Sequence, residues 1–138
     1  MEWIVKTESE TKQVAKIIAP LLQSGDVVAL QGTLGVGKTT FTRALVQCLT
    51  HEKTDVPSPT FTLLQTYETP DFTLYHFDFY RLKSPQEAYE VGIEDAFEQG
   101  VSVIEWPEKI GRLMPKRHKT ISFEIMNDGT RKISTQGF

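Results

Sequence analysis

The chain has 138 residues, of which 39% are hydrophobic and 24% charged, with a formal net charge of −3. That size and balance suit one globular domain spanning 1–138. The negative sign argues against a chain that grips nucleic acid by itself, because phosphate neutralisation supplies most of that affinity. Cys48 is the single cysteine, so an internal disulfide is excluded. His51, His76 and His118 are too scattered for a zinc site. No apolar run approaches the ~18 residues that would span a membrane. The first residues lack the apolar stretch of a signal peptide, so the expected location is the cytoplasm, with no membrane partner.

Taken in chain order, Trp3 to Val5 reads as a short strand. Thr7 with Glu10 has the capping-box pattern, and Val14, Ile17, Ile18 and Leu21 follow at helical spacing. Pro20 is expected to kink or shorten that helix. Gly25-Asp26 turns the chain into Val27 to Leu30, an apolar run of the kind found in buried strands. After a glycine-rich loop, Phe41, Leu45, Cys48 and Leu49 share one helical face, with Cys48 expected in the core and His51 solvated beyond the helix end. Pro57-Ser58-Pro59 breaks the chain into a loop. Phe61 to Tyr67 and Phe72 to Asp78 read as two strands joined near Thr69-Pro70-Asp71. Ser84-Pro85-Gln86-Glu87 opens another helix, with Ser84 at the cap, and Gly92 ends it. Val101 to Ile104 reads as a buried strand. Ile121 to Ile125 and Lys132 to Ser134 flank Asn127-Asp128-Gly129, a hairpin signal. Helices alternating with apolar strands predict an α/β domain around a mostly parallel sheet, with antiparallel strands added.

Gly32-Thr33-Leu34-Gly35-Val36-Gly37-Lys38-Thr39 matches the phosphate-loop pattern G-x-x-x-x-G-K-[ST] at every fixed position. Glycines allow the backbone to curl with its N–H groups inward and leave space for phosphates. The helix that starts near Lys38 aims its positive end at the same point. Lys38 would reach the β- and γ-phosphates, the Thr39 hydroxyl would ligate Mg²⁺, and Thr40 completes the binding stretch. The strand before the loop and the amphipathic helix after it are the context such a loop needs. The guanine-reading Asn-Lys-x-Asp motif is missing, which favours ATP and ADP over guanine nucleotides.

Hydrolysis also needs a carboxylate near Mg²⁺ and a group that positions water. Val101-Ser102-Val103-Ile104-Glu105 closes an apolar strand on a carboxylate, where ligands of parallel sheets gather. Glu105 is otherwise simply the first solvated residue after the strand. In His76-Phe77-Asp78-Phe79-Tyr80-Arg81 the residues His76, Asp78 and Tyr80 share one face of an extended segment. Asp78 would orient water or support Mg²⁺; the division of labour with Glu105 stays open. Arg81 would balance phosphate charge, meet a partner, or form a plain ion pair. Ser58-Pro59-Thr60 is a rigid, hydroxyl-bearing loop suited to sensing the γ-phosphate. Trp106 would cover the site, face a partner, or pack in the core. Arg131, in the C-terminal hairpin, is a further candidate to reach the nucleotide.

Four segments together resemble the bacterial TsaE (YjeE) family of tRNA threonylcarbamoyladenosine synthesis. They are Gly32 to Phe41, Pro57 to Leu63, His76 to Leu82, and Ile104-Glu105-Trp106-Pro107, in matching order and spacing across nearly the whole chain. The resemblance implies a P-loop NTPase three-layer sandwich and ATP hydrolysis with Mg²⁺. It implies protein partners TsaB and TsaD, a reset of that pair between turnovers, and only indirect contact with tRNA. Residue by residue, it gives Lys38 and Thr39 the phosphate-loop roles and Glu105 the Mg²⁺ role, and makes Asp78 necessary for hydrolysis. Ser58, Thr60, His76, Tyr80, Arg81 and Trp106 would belong to switch-like or partner-facing segments. The chain departs from the family pattern in having Thr33 where Asp is common and Val36 where Ala is common. Loss of the carboxylate at Thr33 removes any polar contact that position makes. Two other classes compete. A small-molecule kinase needs an Arg-bearing lid, for which the acidic stretch Ser84 to Gly100 is poor material. A non-enzymatic nucleotide switch would bind nucleotide and change shape, and Glu105→Ala and Asp78→Ala would then leave phosphate release unchanged.

Overall fold

The computed structural model describes residues 1–33, 37–51, 56–57 and 59–138. Among these, seven strands form one sheet: β1 (Glu2–Val5), β2 (Val27–Gln31), β3 (Leu64–Glu68), β4 (Thr73–Asp78), β5 (Val101–Glu105), β6 (Lys119–Ile125) and β7 (Arg131–Gln136). Their spatial order is β1-β7-β6-β2-β5-β4-β3. The four central strands β6, β2, β5 and β4 run parallel. Antiparallel pairings of β3 with β4, and of β7 with both β6 and β1, extend the sheet on either side.

Helices α1 (Glu8–Ile18) and α2 (Lys38–Thr50) cover one face. Alternation along the strands sorts the side chains. Val28 and Leu30 of β2, Val101 and Val103 of β5, and Leu74 of β4 pack with Val14, Ile18, Phe41 and Leu45 of the helices. The opposite face carries Val27, Phe77 and Ile104, packed with Ala88, Ile93 and Ala96 from α3 (Gln86–Glu90) and α4 (Ile93–Gln99). Three layers result, with one apolar core on each side of the sheet. No helix among the described residues is long and apolar enough to cross a membrane.

Local chemistry explains most element ends. Thr7 caps α1 by accepting from the Glu10 amide (3.2 Å), while the Glu10 carboxylate accepts from the Lys6 amide (3.0 Å). The helix stops at Ile18, and Pro20 sits in a single 3-10 turn after it. Cys48 is partly buried against the α1/α2 core rather than inside it. Ser84 contributes no side-chain cap to α3; the helix starts at Gln86, and Glu87 instead reaches back to the Lys83 amide (2.9 Å). Gly92, at φ +85°, turns the chain between α3 and α4, and α4 has no counterpart in the sequence expectations. Its apolar signal is short, Ile93, Ala96 and Phe97 within seven residues, and acidic side chains fill the rest.

One expected strand is shorter than its pattern. Phe61 to Leu63 form a turn rather than the start of β3. Leu63 adopts φ +68°, and its amide donates to the Pro59 carbonyl (2.6 Å). Phe61 is left 81% exposed, so its apolar character misleads a strand reading.

Gly100, between α4 and β5, is required by space. A Cβ there would strike the Thr73 carbonyl oxygen and lie 2.9 Å from the Tyr75 ring. The carbonyl cannot retreat without moving β4. Gly100→Ala is expected to cost roughly 1–3 kcal/mol through this overpacking, and to lower the melting temperature by about 5 °C or more. An unchanged thermal melt would contradict the closeness of the contact.

Candidate functional site

β2, buried from Val27 through Leu30, delivers the chain to Gly32, at φ +147°, on the C-terminal edge of the parallel strands. Leu34, Gly35 and Val36 lie outside the described residues, as does Ser58. Gly37, at φ +99°, opens α2. A Cβ on Gly37 would meet only the Arg131 side chain, 3.5 Å away, so the left-handed backbone and not the space demands glycine. Thr39 and Thr40 occupy the first turn of α2, where amides have no partner within the helix and the dipole favours an anion. Thr33 is exposed beside Gly32.

Lys38 is 5% exposed. Its ammonium donates to the Gly32 carbonyl (2.7 Å) and lies 4.0 Å from the centre of the Trp106 ring. The ion pairs among the described residues are His76–Glu105, Lys119–Asp26 and Lys132–Glu2, so none engages Lys38. Burial lowers its pKa below the ordinary lysine value, while Glu105, Glu108 and Asp78 pull the other way. The folded chain therefore holds this proton less tightly than an unfolded one. The resulting cost in stability applies below the folded pKa and fades as pH rises through it toward the ordinary lysine value. A polyanion placed on Lys38 would favour the ammonium and reverse the shift. ATP binding is thus expected to take up protons in alkaline solution. Calorimetric titrations in alkaline buffers of different ionisation heat test this, and Lys38→Arg, which does not titrate, should abolish the uptake. Equal uptake by both chains would exclude Lys38 as its source.

The two carboxylates end neighbouring parallel strands. Asp78 is the last residue of β4, Glu105 the last of β5, and they stand opposite each other in register. Both are buried, at 5% and 3% exposure. Glu105 is therefore not the first solvated residue after its strand; it belongs to the strand and points into the layer shared with α2. Asp78 accepts from the Thr60 hydroxyl (2.9 Å) on one oxygen and from the Tyr80 amide (3.0 Å) on the other. Trp106 follows at φ +60°, a left-handed conformation that costs a non-glycine residue on the order of 1 kcal/mol or more. Its ring rests against Tyr80, with centroids 5.0 Å apart.

A cavity of about 460 Å³ brings these groups together. Gly37, Lys38, Thr39, Thr40, Thr60, Asp78, Tyr80, Glu105, Trp106, Arg131 and Glu8 line it. Arg131 was legible as a candidate; Glu8 was not, because an acidic residue in a first helical turn is explained by the helix dipole alone. A second cavity of about 300 Å³ shares Glu8 and Arg131 with the first and extends along Val5, Thr7 and Thr11. His76 is 0% exposed and its ring meets Glu105, so it cannot face a partner as expected. Arg81 stacks over the Phe61 ring (4.4 Å) on the surface and is not among the residues lining the cavity, away from the phosphate-balancing place and in a position open to a partner.

The donor set suits a polyphosphate with a hard divalent cation. One ammonium without a carboxylate partner and a helix N-terminus face a cavity with two buried carboxylates and the Thr39 hydroxyl. Among the described residues no group of three or more His, Cys, Asp or Glu forms a metal cage. Mg²⁺ needs none, since it is usually held by one or two side chains together with phosphates and water.

A glycine turn between a central parallel strand and a covering helix, with acidic ends on the adjacent strands, defines a P-loop NTPase fold. The family model described as threonylcarbamoyl adenosine biosynthesis protein TsaE matches residues 5–133. A tRNA threonylcarbamoyladenosine biosynthesis protein TsaE of Rickettsia bellii is 46% identical over 128 residues, covering 93% of this chain and 89% of that protein. The Bacillus subtilis protein of the same description is 36% identical over 135 residues, covering 97% and 84%. The crystal structure of Bacillus subtilis YdiB superposes with a TM-score of 0.81 at 32% identity, covering 98% of this chain and 83% of that one. The chain belongs to the TsaE family.

Proposed function

We propose that the chain binds and hydrolyses Mg·ATP within tRNA threonylcarbamoyladenosine (t6A37) biosynthesis, resetting a TsaB–TsaD pair between turnovers. Family membership supports the pathway. The observation that carries the hydrolytic reading is the register of Asp78 opposite Glu105 at the mouth of a cavity floored by Lys38 and the first turn of α2.

In this reading the first-turn amides of α2 and the Lys38 ammonium bind the phosphates. Lys38 leaves the Gly32 carbonyl and the Trp106 ring to do so. Thr39 and Glu105 would hold Mg²⁺, which would supply charge neutralisation to the phosphates. Asp78, oriented by Thr60 and the Tyr80 amide, accepts a hydrogen bond from the attacking water and aligns it. Arg131, whose side chain lies beside Gly37, adds positive charge to the cavity, and the adjoining cavity would take the base and ribose.

The segment from Ser84 to Gly100 speaks against a kinase. Ala88, Ile93 and Ala96 are buried in the core beneath the sheet, so this stretch is part of the scaffold and not a closing lid. The net charge of −3 suits a protein that meets other proteins while another subunit holds tRNA. The test is phosphate release by the purified chain, alone and with TsaB and TsaD. Slow release alone and faster release with the pair are expected. A rate indifferent to the pair would count against this place in the pathway.

A further inference from the structure

Behind the cavity lies a titratable side chain with no part in the scheme above. His76 is fully buried on the face of β4 that carries Asp78. Its Nε2 lies 2.7 Å from Oε2 of Glu105, on the neighbouring strand. Its Nδ1 has no hydrogen-bond partner among the described residues. A carboxylate only accepts, so Nε2 carries the hydrogen and donates it.

That arrangement is a poor way to fill a core. An unsatisfied buried polar atom costs free energy, and an apolar side chain of similar size would avoid the cost. The return lies in what the contact does to Glu105. This carboxylate faces a second one, Asp78, directly across the strand pair, and both are nearly dry. Unheld, Glu105 has every electrostatic reason to rotate away from its neighbour. The hydrogen bond from His76 fixes one oxygen and leaves the other for the cavity that Glu105 lines.

We infer that His76 is a positioning residue, anchoring Glu105 Oε2 so that the second oxygen is presented to a Mg²⁺–nucleotide complex. His76 and Asp78 then divide the work of β4: one side chain aims Glu105, and its neighbour two residues on stands opposite it. The partner-facing role expected for His76 is replaced by an internal one. The inference rests on the reading of Glu105 as a Mg²⁺ ligand, and partners that aim metal ligands are typically worth about 10- to 100-fold in metal affinity.

The test is ATP binding by calorimetry, with Mg²⁺ and with EDTA, for the wild-type chain, Glu105→Gln, His76→Leu and His76→Gln. Glu105→Gln is expected to lose most of the advantage that Mg²⁺ gives. His76→Leu should reduce that advantage about tenfold or more, with affinity in EDTA held, while the melting temperature falls because the buried Glu105 carboxylate loses its donor. His76→Gln, which keeps an N–H at similar reach, should recover most of the advantage. A purely structural His76 would lower the melting temperature and leave the Mg²⁺ advantage alone. Should His76→Leu fail to fold, His76→Asn, polar but too short to reach Glu105, takes its place. A Mg²⁺ advantage unchanged in the His76 variants but lost in Glu105→Gln would overturn the positioning role and spare the metal reading. A Glu105→Gln chain that responds to Mg²⁺ like wild type would overturn both.

Discussion

Lys38→Ala is expected to weaken ATP binding by about 100-fold or more while leaving the chain folded. A hydrogen bond from a charged group contributes about 1.5–3 kcal/mol, which is roughly 10- to 100-fold per phosphate contact. Lys38 is expected to make such contacts to two phosphates. Stability should respond differently. The ammonium is buried at a cost, visible in its lowered pKa, and its partners are one carbonyl and one aromatic face. Removing it relieves that cost and leaves the Gly32 carbonyl short of one donor, so the two effects oppose. Lys38→Met, which keeps the length and loses the charge, separates space from electrostatics. Titration of ATP against the three chains, with thermal melts alongside, decides the matter. Equal affinity in wild type and Lys38→Ala would remove the phosphate-loop assignment.

Asp78→Asn should leave ATP bound and slow its hydrolysis by about 10²–10⁴-fold, the usual range for losing a group that manages a proton or water in the transition state. The substitution is nearly isosteric. The amide oxygen still accepts one of the two bonds now made by Thr60 and Tyr80, and the Thr60 hydroxyl can rotate to accept from the new N–H. The loss is therefore of charge and not of position. Affinity for ATP should hold or tighten slightly, since one negative group near the phosphates is gone. Glu105→Gln should behave otherwise, losing Mg²⁺ dependence at the binding step. Single-turnover rates and Mg²⁺ titrations of both variants distinguish the roles that the sequence left open. A wild-type hydrolysis rate in Asp78→Asn would remove Asp78 from the hydrolytic machinery, and an unchanged rate in the Glu105 variant as well would favour the nucleotide switch.

Much of this site is legible in the sequence because its chemistry is written in consecutive residues. The phosphate-loop pattern, the strand ending on Glu105 and the position of Asp78 within His76 to Arg81 each need only a local reading. The sheet supplies what local reading lacks. That Asp78 stands opposite Glu105 depends on the register of β4 with β5, two strands separated in the chain by α3 and α4. That His76 turns inward to Glu105 depends on the same register. Alternation placed His76, Asp78 and Tyr80 on one face, as a strand requires, but the strand ends at Asp78, and Tyr80 departs to the surface. Glu8 enters the cavity only because β1 pairs at the far edge of the sheet and carries the start of α1 toward Arg131. The turn at Phe61 to Leu63 reads as strand in the sequence because turn chemistry is weak there: no glycine marks the left-handed residue, and Leu63 occupies it.

The most direct measurement is a crystal structure of the chain with Mg²⁺ and a non-hydrolysable ATP analogue. The expected result places the triphosphate against the first turn of α2, with the Lys38 ammonium moved from Gly32 and Trp106 onto phosphate oxygens, and Thr39 and Glu105 on the metal. A nucleotide bound elsewhere, with Lys38 still held by the Gly32 carbonyl, would contradict it.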